Sequence, residues 1–301
     1  MAFLFQPPFL SMQTLSAGSY KLPLARPLVM GVVNVTPDSF SDGGLFLDAG
    51  AAIAHAQRLV EEGADILDIG GESSRPGAAP LPLEEELRRV LPVLKACVAL
   101  GKPVSVDTYK PEVMQAAAAG GAAMLNDIWG FRRPGAFEAA CAAAREGLAL
   151  CIMHMQRDPQ NMQRDPYYDD VVREVGDFLR ERVAAFEAAG VPRDQLVTDP
   201  GFGFGKTVTH NLQLLRQLPG LLARAGADVP LLAGLSRKST IGAVTGRAPG
   251  ERLAGSVAAA LLAAQNGAAI VRVHDVAATR DALAVWAAVR DAPPSNPSQK
   301  G

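Results

Sequence analysis

Eight short apolar runs, each followed by a stretch with helical patterning, constrain this chain more than any other feature of its sequence. The runs are LVMGVVN (28–34), DILDIG (65–70), PVSVD (103–107), AAMLND (122–127), LALCIMH (148–154), QLVTD (195–199), PLLAGLS (230–236) and AAIVRVH (268–274). Most are nearly continuous in apolar residues, the pattern of parallel strands covered on both faces. Leu83, Leu87, Val90, Leu91 and Leu94 share one helical face, with Glu84 and Glu85 four residues before Arg88 and Arg89. Val171, Val172, Val175, Phe178, Leu179, Val183 and Phe186 form a second stripe. Pro92 is expected to kink or shorten the first of these helices. The Ala-rich stretches 111–119, 136–144, 253–265 and 277–289 suit helices packed closely on a sheet.

Such alternation without a break in composition reads as an α/β fold, a single (β/α)8 TIM barrel over residues 27–291. A doubly wound open sheet is the rival, but the first βα turn lacks the G-x-G-x-x-G of a dinucleotide-binding domain. Residues 1–26 are irregular and carry several prolines. They are expected to form a short N-terminal extension, as a hairpin or a cap under the barrel. Residues 292–301, rich in Pro, Ser, Gln and Lys, read as a disordered tail.

Composition excludes some partners. The chain is 49% hydrophobic and 20% charged over 301 residues, a soluble globular balance. Its net charge of -2 and pI of about 6.1 leave no basic excess for a nucleic-acid backbone. The opening MAFLFQPPFL has no basic n-region, and no apolar run reaches spanning length, so neither a signal peptide nor a membrane span is expected. Cys97, Cys141 and Cys151 form no CxxC pair and read as buried, reduced thiols, in keeping with a cytoplasmic protein.

Nearly every run ends in a polar group: Asn34, Asp107, Asn126 with Asp127, His154, Asp199, Ser236 with Lys238, and Arg272 with His274. In a closed barrel these ends converge at one mouth, where barrel enzymes place their sites. Helix capping accounts for an isolated Asp or Asn, but not for Lys238, Arg272 and His274 together. Asp107, Asn126 and Asp199 suit a flat heterocycle rich in N–H donors. Arg75, Arg272 and His274 suit an oxyanion or phosphate group. Asn34 opens an oxygen-rich loop, and one amide oxygen with substrate phosphates and waters makes a Mg²⁺ shell. No zinc spacing, serine-hydrolase elbow or Walker P-loop is present. The stretches 34–44 and 70–80 are lid candidates. In DPGFGFGK (199–206), glycines permit close backbone approach and Phe204 can stack on an aromatic ligand.

These stretches resemble the dihydropteroate synthase family. The matching segments are MGVVNVTPDSFSDGG (30–44), DIGGESSRPGA (68–78), VSVDTYKPEV (104–113), LNDIWG (125–130), IMHMQ (152–156), DPGFGFGKT (199–207), GLSRKSTIG (234–242) and VRVHDV (271–276). The resemblance implies a transferase of folate biosynthesis that joins a pterin pyrophosphate to p-aminobenzoate. It implies a pterin held by Asp107, Asn126 and Asp199 with Lys238 reaching a ring atom, Mg²⁺ on Asn34, and pyrophosphate on Arg272 and His274. An aminobenzoate site formed by Ser74, Arg75, Phe204 and Ser239 is implied as well, and so are a homodimer and sensitivity to sulfonamides. Ser74 stands where the family usually has Thr, which keeps the hydroxyl and loses a methyl. Two alternatives remain open at this level. A pterin-dependent methyltransferase shares the barrel but has no pyrophosphate to hold, and a non-catalytic pterin-binding paralogue keeps the fold without the chemistry.

Overall fold

A computed structural model describes residues 14–35, 45–73, 77, 79–226 and 228–293, with backbone alone at 45–48. The described residues open with an antiparallel hairpin of β1 (Thr14–Ala17) and β2 (Tyr20–Pro23), turned at Gly18. There follow β3 (Leu28–Asn34), α1 (Leu45–Glu61), β4 (Ile66–Gly70), α2 (Leu83–Val98), β5 (Val104–Asp107), α3 (Pro111–Ala119), β6 (Met124–Asp127) and α4 (Ala136–Arg145). The second half runs β7 (Ala149–Met153), α5 (Val171–Ala188), β8 (Leu196–Asp199), α6 (Val208–Arg216), α7 (Leu218–Gly226), β9 (Leu232–Ala233), α8 (Ser239–Thr245), α9 (Leu253–Gln265), β10 (Ile270–Val273) and α10 (Val276–Asp291).

The eight strands β3 to β10 form one parallel sheet in the order β8-β7-β6-β5-β4-β3-β10-β9. Its ends meet: Thr198 bridges Leu231, and the Thr198 N–H donates to the Pro230 carbonyl at 2.9 Å. The result is the (β/α)8 barrel expected from the eight runs. Each run contains one of these strands. Pro92 does not end α2, which continues to Val98. All three cysteines are buried and unbonded. Among the described residues, no helix is long and apolar enough to cross a membrane.

Strand alternation sorts the core into two clusters. Val29, Leu67, Val104, Leu125, Leu150, Leu196, Leu231 and Val271 face outward and pack with the apolar stripes of the helices. Met30, Ile66, Met124, Ala149, Cys151, Val197, Leu232 and Ile270 fill the barrel interior. Leu15 and Ala17 of the hairpin, and Leu24 just after it, join this inner cluster and cover the floor. Full burial of a side chain such as Met30 or Ile66 contributes about 1.5–3 kcal/mol. Two residues further along four of these strands the inward face turns polar. Ile66 is followed by Asp68, Met124 by Asn126, Val197 by Asp199 and Ile270 by Arg272. A polar layer therefore rests on an apolar one, at the C-terminal ends of the strands.

Candidate active site

The polar layer is aligned by strand register. Asp107 and Asn126 are direct partners across β5 and β6, and Asn34 lies on the same line through Gly70. Gly70 leaves the space between them open: a Cβ there would lie 3.8 Å from Asp107 Cβ and 3.9 Å from Asn34 Oδ1. Asn126 Oδ1 is buried without a hydrogen-bond partner. A buried acceptor left unpaired is costly, and a ligand N–H would satisfy it.

Arg272 crosses this layer. Its Nε donates to Asp68 Oδ2 at 2.6 Å and its Nη2 to Asp107 Oδ2 at 3.1 Å. Burial opposes the guanidinium charge, but Asp68 and Asp107 outweigh it and hold Arg272 above its ordinary value. For Asp107, burial acts first and pushes the carboxyl up to about 7. Arg272 pulls it down, and the Asp68 charge adds to the rise. Two carboxylates thus share one guanidinium, and Asp107 ionises reluctantly. Asp68 is fully buried, and its Oδ1 has no hydrogen-bond partner.

Asp199 ends β8 and accepts the Gly201 N–H at 2.7 Å. Burial raises its carboxyl despite the nearby Lys238 charge. Lys238 donates to the Phe202 carbonyl, and its Nζ lies 4.3 Å from the centroid of the Phe204 ring. Burial lowers the Lys238 amine to about 8, against the pull of Asp199. The loop between them depends on glycine. Gly203 has φ +80°, and a Cβ there would lie 3.0 Å from Lys238 Cδ. Phe204 is half-buried beside Ile128, Met153, Met155 and Met162.

The segment Ser236-Arg237-Lys238 sends consecutive side chains to different partners. Ser236 Oγ accepts the His274 backbone N–H at 3.2 Å and lies 3.0 Å from His274 Nδ1. Oγ has a hydrogen to donate and a second lone pair to accept with, so it can partner Nδ1 in either tautomer. Burial first, then Arg272 and Arg237, hold His274 down to about 3. It is a neutral N–H donor near neutral pH rather than a cation. Arg237, at φ +59°, turns away to pair with Asp275. Ser239 begins α8 and is exposed.

Asn34, Asp107, Asn126, Asp199, Phe204, Lys238, Arg272 and His274 are therefore gathered around the C-terminal end of the barrel, with Ser239 at its rim. Ser74 and Arg75 lie outside the described residues. Two other strand-end groups have different roles. Asp127 accepts the Trp129 and Phe131 N–H groups at 2.8 and 2.7 Å, fixing the turn after β6. His154 packs edge-on against Phe178 and lies 2.9 Å from Lys206 Nζ through Nδ1. Among the described residues no cluster of three or more His, Cys, Asp or Glu side chains is arranged to hold a metal. Asn34 suits a different metal site, in which one amide oxygen is joined by ligand oxygens and water.

Sequence reasoning missed Asp68, which is mid-strand inside an apolar run, and Lys206, which reads as the end of a Gly-rich loop. It also missed a buried charge cluster at the root of the 70–80 stretch. Lys110 donates to both Glu72 and Glu86, and Glu72 accepts the Tyr109 hydroxyl at 2.7 Å. The i, i+14 and i, i+38 spacings of this cluster from Glu72 carry no local signature.

Comparison with known proteins agrees with this geometry. The family described as pterin binding enzyme matches residues 30–274. The dihydropteroate synthase of Neisseria meningitidis serogroup B is 51% identical over 278 residues, 91% of this chain and 96% of that protein. The Escherichia coli K12 dihydropteroate synthase is 48% identical over 272 residues, 90% of this chain and 94% of that protein. A solved Xanthomonas albilineans dihydropteroate synthase with 4-aminobenzoic acid superposes with a TM-score of 0.87 at 55% identity, covering 94% of this chain and all of that one. The same enzyme in complex with 7,8-dihydropteroate gives 0.84 at 54% identity, over 93% of this chain and 100% of that one. By full-length similarity as well as by the layout of its barrel mouth, the chain belongs to the dihydropteroate synthase family of pterin binding enzymes.

Proposed function

We propose that this protein condenses 6-hydroxymethyl-7,8-dihydropterin pyrophosphate with p-aminobenzoate, giving 7,8-dihydropteroate and pyrophosphate. The observation that carries the reading is the polar layer itself: the acceptors of Asp107, Asn126 and Asp199 beside the donors of Lys238, Arg272 and His274, over an apolar floor. Relatives solved with 4-aminobenzoic acid and with 7,8-dihydropteroate support the choice of substrates. A pterin-dependent methyltransferase has no use for the pyrophosphate donors, and the close relatives carry no such name.

In this reading Asp107, Asn126 and Asp199 accept from the N–H edge of the pterin, and Lys238 donates to a ring acceptor. A ring with the wrong edge would leave these buried groups unpaired, which makes selection strict. The C–O bond to pyrophosphate breaks, and its electron pair leaves with the phosphate oxygen. Arg272 and His274 stabilise that developing charge by donating to it. Mg²⁺, held through Asn34 and pyrophosphate oxygens, would neutralise charge on the leaving group. The aryl amine nitrogen attacks the freed methylene carbon and then loses a proton. Its neutral form is nucleophilic, so no strong side-chain base is required. Phe204 and Ser239, with Ser74 and Arg75, form the aminobenzoate side. Sulfonamides, which resemble p-aminobenzoate, would compete there. A sulfonamide complex is known for the Yersinia pestis dihydropteroate synthase.

We place the enzyme in the cytoplasm, on its three unbonded buried thiols. We assign it a homodimer, on its membership of the dihydropteroate synthase family.

The test mixes purified protein, Mg²⁺, dihydropterin pyrophosphate and p-aminobenzoate and follows pyrophosphate release. Release that depends on p-aminobenzoate supports the reading. Pterin binding with no release above background would reject it in favour of a non-catalytic paralogue.

A further inference from the structure

Lys206 is 3% exposed, and no step of the proposed reaction uses it. Its Nζ is ringed by acceptors: Phe204 O at 3.0 Å, Gly201 O at 3.1 Å, His154 O at 3.4 Å and His154 Nδ1 at 2.9 Å. Among the described residues it forms no ion pair with a carboxylate. Burial drives its amine well below the ordinary lysine value, and nearby Asp199 only partly offsets this. Burying an amine without a counter-ion is costly, so its persistence here calls for a return elsewhere.

That return lies in what the acceptors belong to. Gly201 and Phe204 bracket the loop after β8. The loop is pressed against the end of β7: a Cβ on Gly201 would collide with the His154 carbonyl, and one on Gly205 would lie 2.8 Å from Gln156 Cβ. The Lys206 Nζ beneath it directs its N–H donors to these converging carbonyls and the imidazole. Within the same loop, the Phe202 carbonyl receives Lys238 and the Phe204 ring lies against the Lys238 ammonium. The loop thus touches Lys238 twice and holds Phe204 at the mouth.

We propose that Lys206 is a positioning residue for the condensation: by gathering the carbonyls of Gly201, Phe204 and His154, it fixes the loop that presents Phe204 and the Phe202 carbonyl to Lys238 and the substrates. The inference rests on the reading above, in which Phe204 lines the aminobenzoate side. It assigns Lys206 no contact with substrate. Its effect travels through backbone, so it should be coupled to Phe204.

The experiment is a double-mutant cycle on the full chain with Lys206→Met and Phe204→Ala, reading kcat/KM for p-aminobenzoate and thermal unfolding. Lys206→Met should lower kcat/KM at least about tenfold, and the double variant should lose little beyond Phe204→Ala alone, as residues acting as one unit do. Gln195→Met is the control: it removes a buried donor to the Ala144 carbonyl far from the loop and should leave kcat/KM unchanged. A Lys206→Met enzyme within about threefold of wild type overturns the proposal, as do losses that simply multiply in the double variant. If Lys206→Met does not fold, Lys206→Gln, which keeps two donors, replaces it in the same cycle, and the same two results overturn the proposal. Wild-type protein that releases no pyrophosphate sinks the functional reading and this inference together. An active wild type with an unaffected Lys206 variant sinks this inference alone.

Discussion

The carboxylate of Asp68 and the guanidinium of Arg272 meet at 2.6 Å inside the barrel, reaching past β3 from β4 and β10. Asp68 uses one oxygen for Arg272 and leaves the other unpaired, so its role in the layer is to aim the guanidinium. Asp68→Asn keeps the volume and removes the charge. A hydrogen bond to a charged group is worth about 1.5–3 kcal/mol, so kcat/KM should fall about tenfold to a hundredfold. Steady-state kinetics of pyrophosphate release check this, and an unchanged kcat/KM with an intact fold would refute the role.

Asp107 gives a pH signature. With its carboxyl raised to about 7, it is largely protonated at pH 6 and ionised at pH 8. A protonated carboxyl places an O–H donor against the N–H edge of a pterin, whereas the carboxylate accepts from it. Pterin affinity should therefore strengthen as pH rises through about 7, and Asp107→Asn should flatten that dependence. Fluorescence titration of the pterin across this range is the measurement. An identical pH profile in the variant argues against the assignment.

Gly203 tests how closely the loop and Lys238 fit. Alanine there meets both a positive φ and the Lys238 side chain at 3.0 Å. The backbone conformation alone should cost about 1–2 kcal/mol of stability. Gly203→Ala should also reduce activity more than that loss of stability explains, because Lys238 must move. Thermal melts paired with kinetics separate the two effects.

Lys110 is the stability counterpart. Glu86 is 1% exposed, and Lys110 pairs with it and with Glu72. Removing one partner of a buried pair leaves an uncompensated charge, at a cost of about 3–5 kcal/mol. Lys110→Met should lower the denaturation midpoint accordingly, and adding Glu86→Gln should recover part of the loss. Chemical denaturation of both variants decides it.

The barrel was legible because its strands are buried on both faces, which writes them as apolar runs of the right length. The site was legible where a polar residue broke such a run at its end, as at Asp107, Asn126 and Arg272. Asp68 escaped because it lies two residues before its strand finishes, with Leu67 and Ile69 flanking it. Its meaning depends on facing inward on the same side as Ile66, a fact fixed only when the sheet closes. Lys206 escaped because its partners are carbonyls and an imidazole 52 residues away. A backbone acceptor leaves no mark in a sequence. His274 was readable as a donor, but its neutrality comes from burial and from Arg272 and Arg237, neighbours that only folding supplies.

Met30, Ile66, Met124, Val197, Leu232 and Ile270 fill the barrel interior, with Leu15 and Ala17 of the hairpin packed beneath them, so the mouth is a blind well. A well with one opening behaves as a stack: the molecule lodged deepest goes in first and comes out last. Traffic order would then be set by the packed floor of the well, where no substrate ever goes.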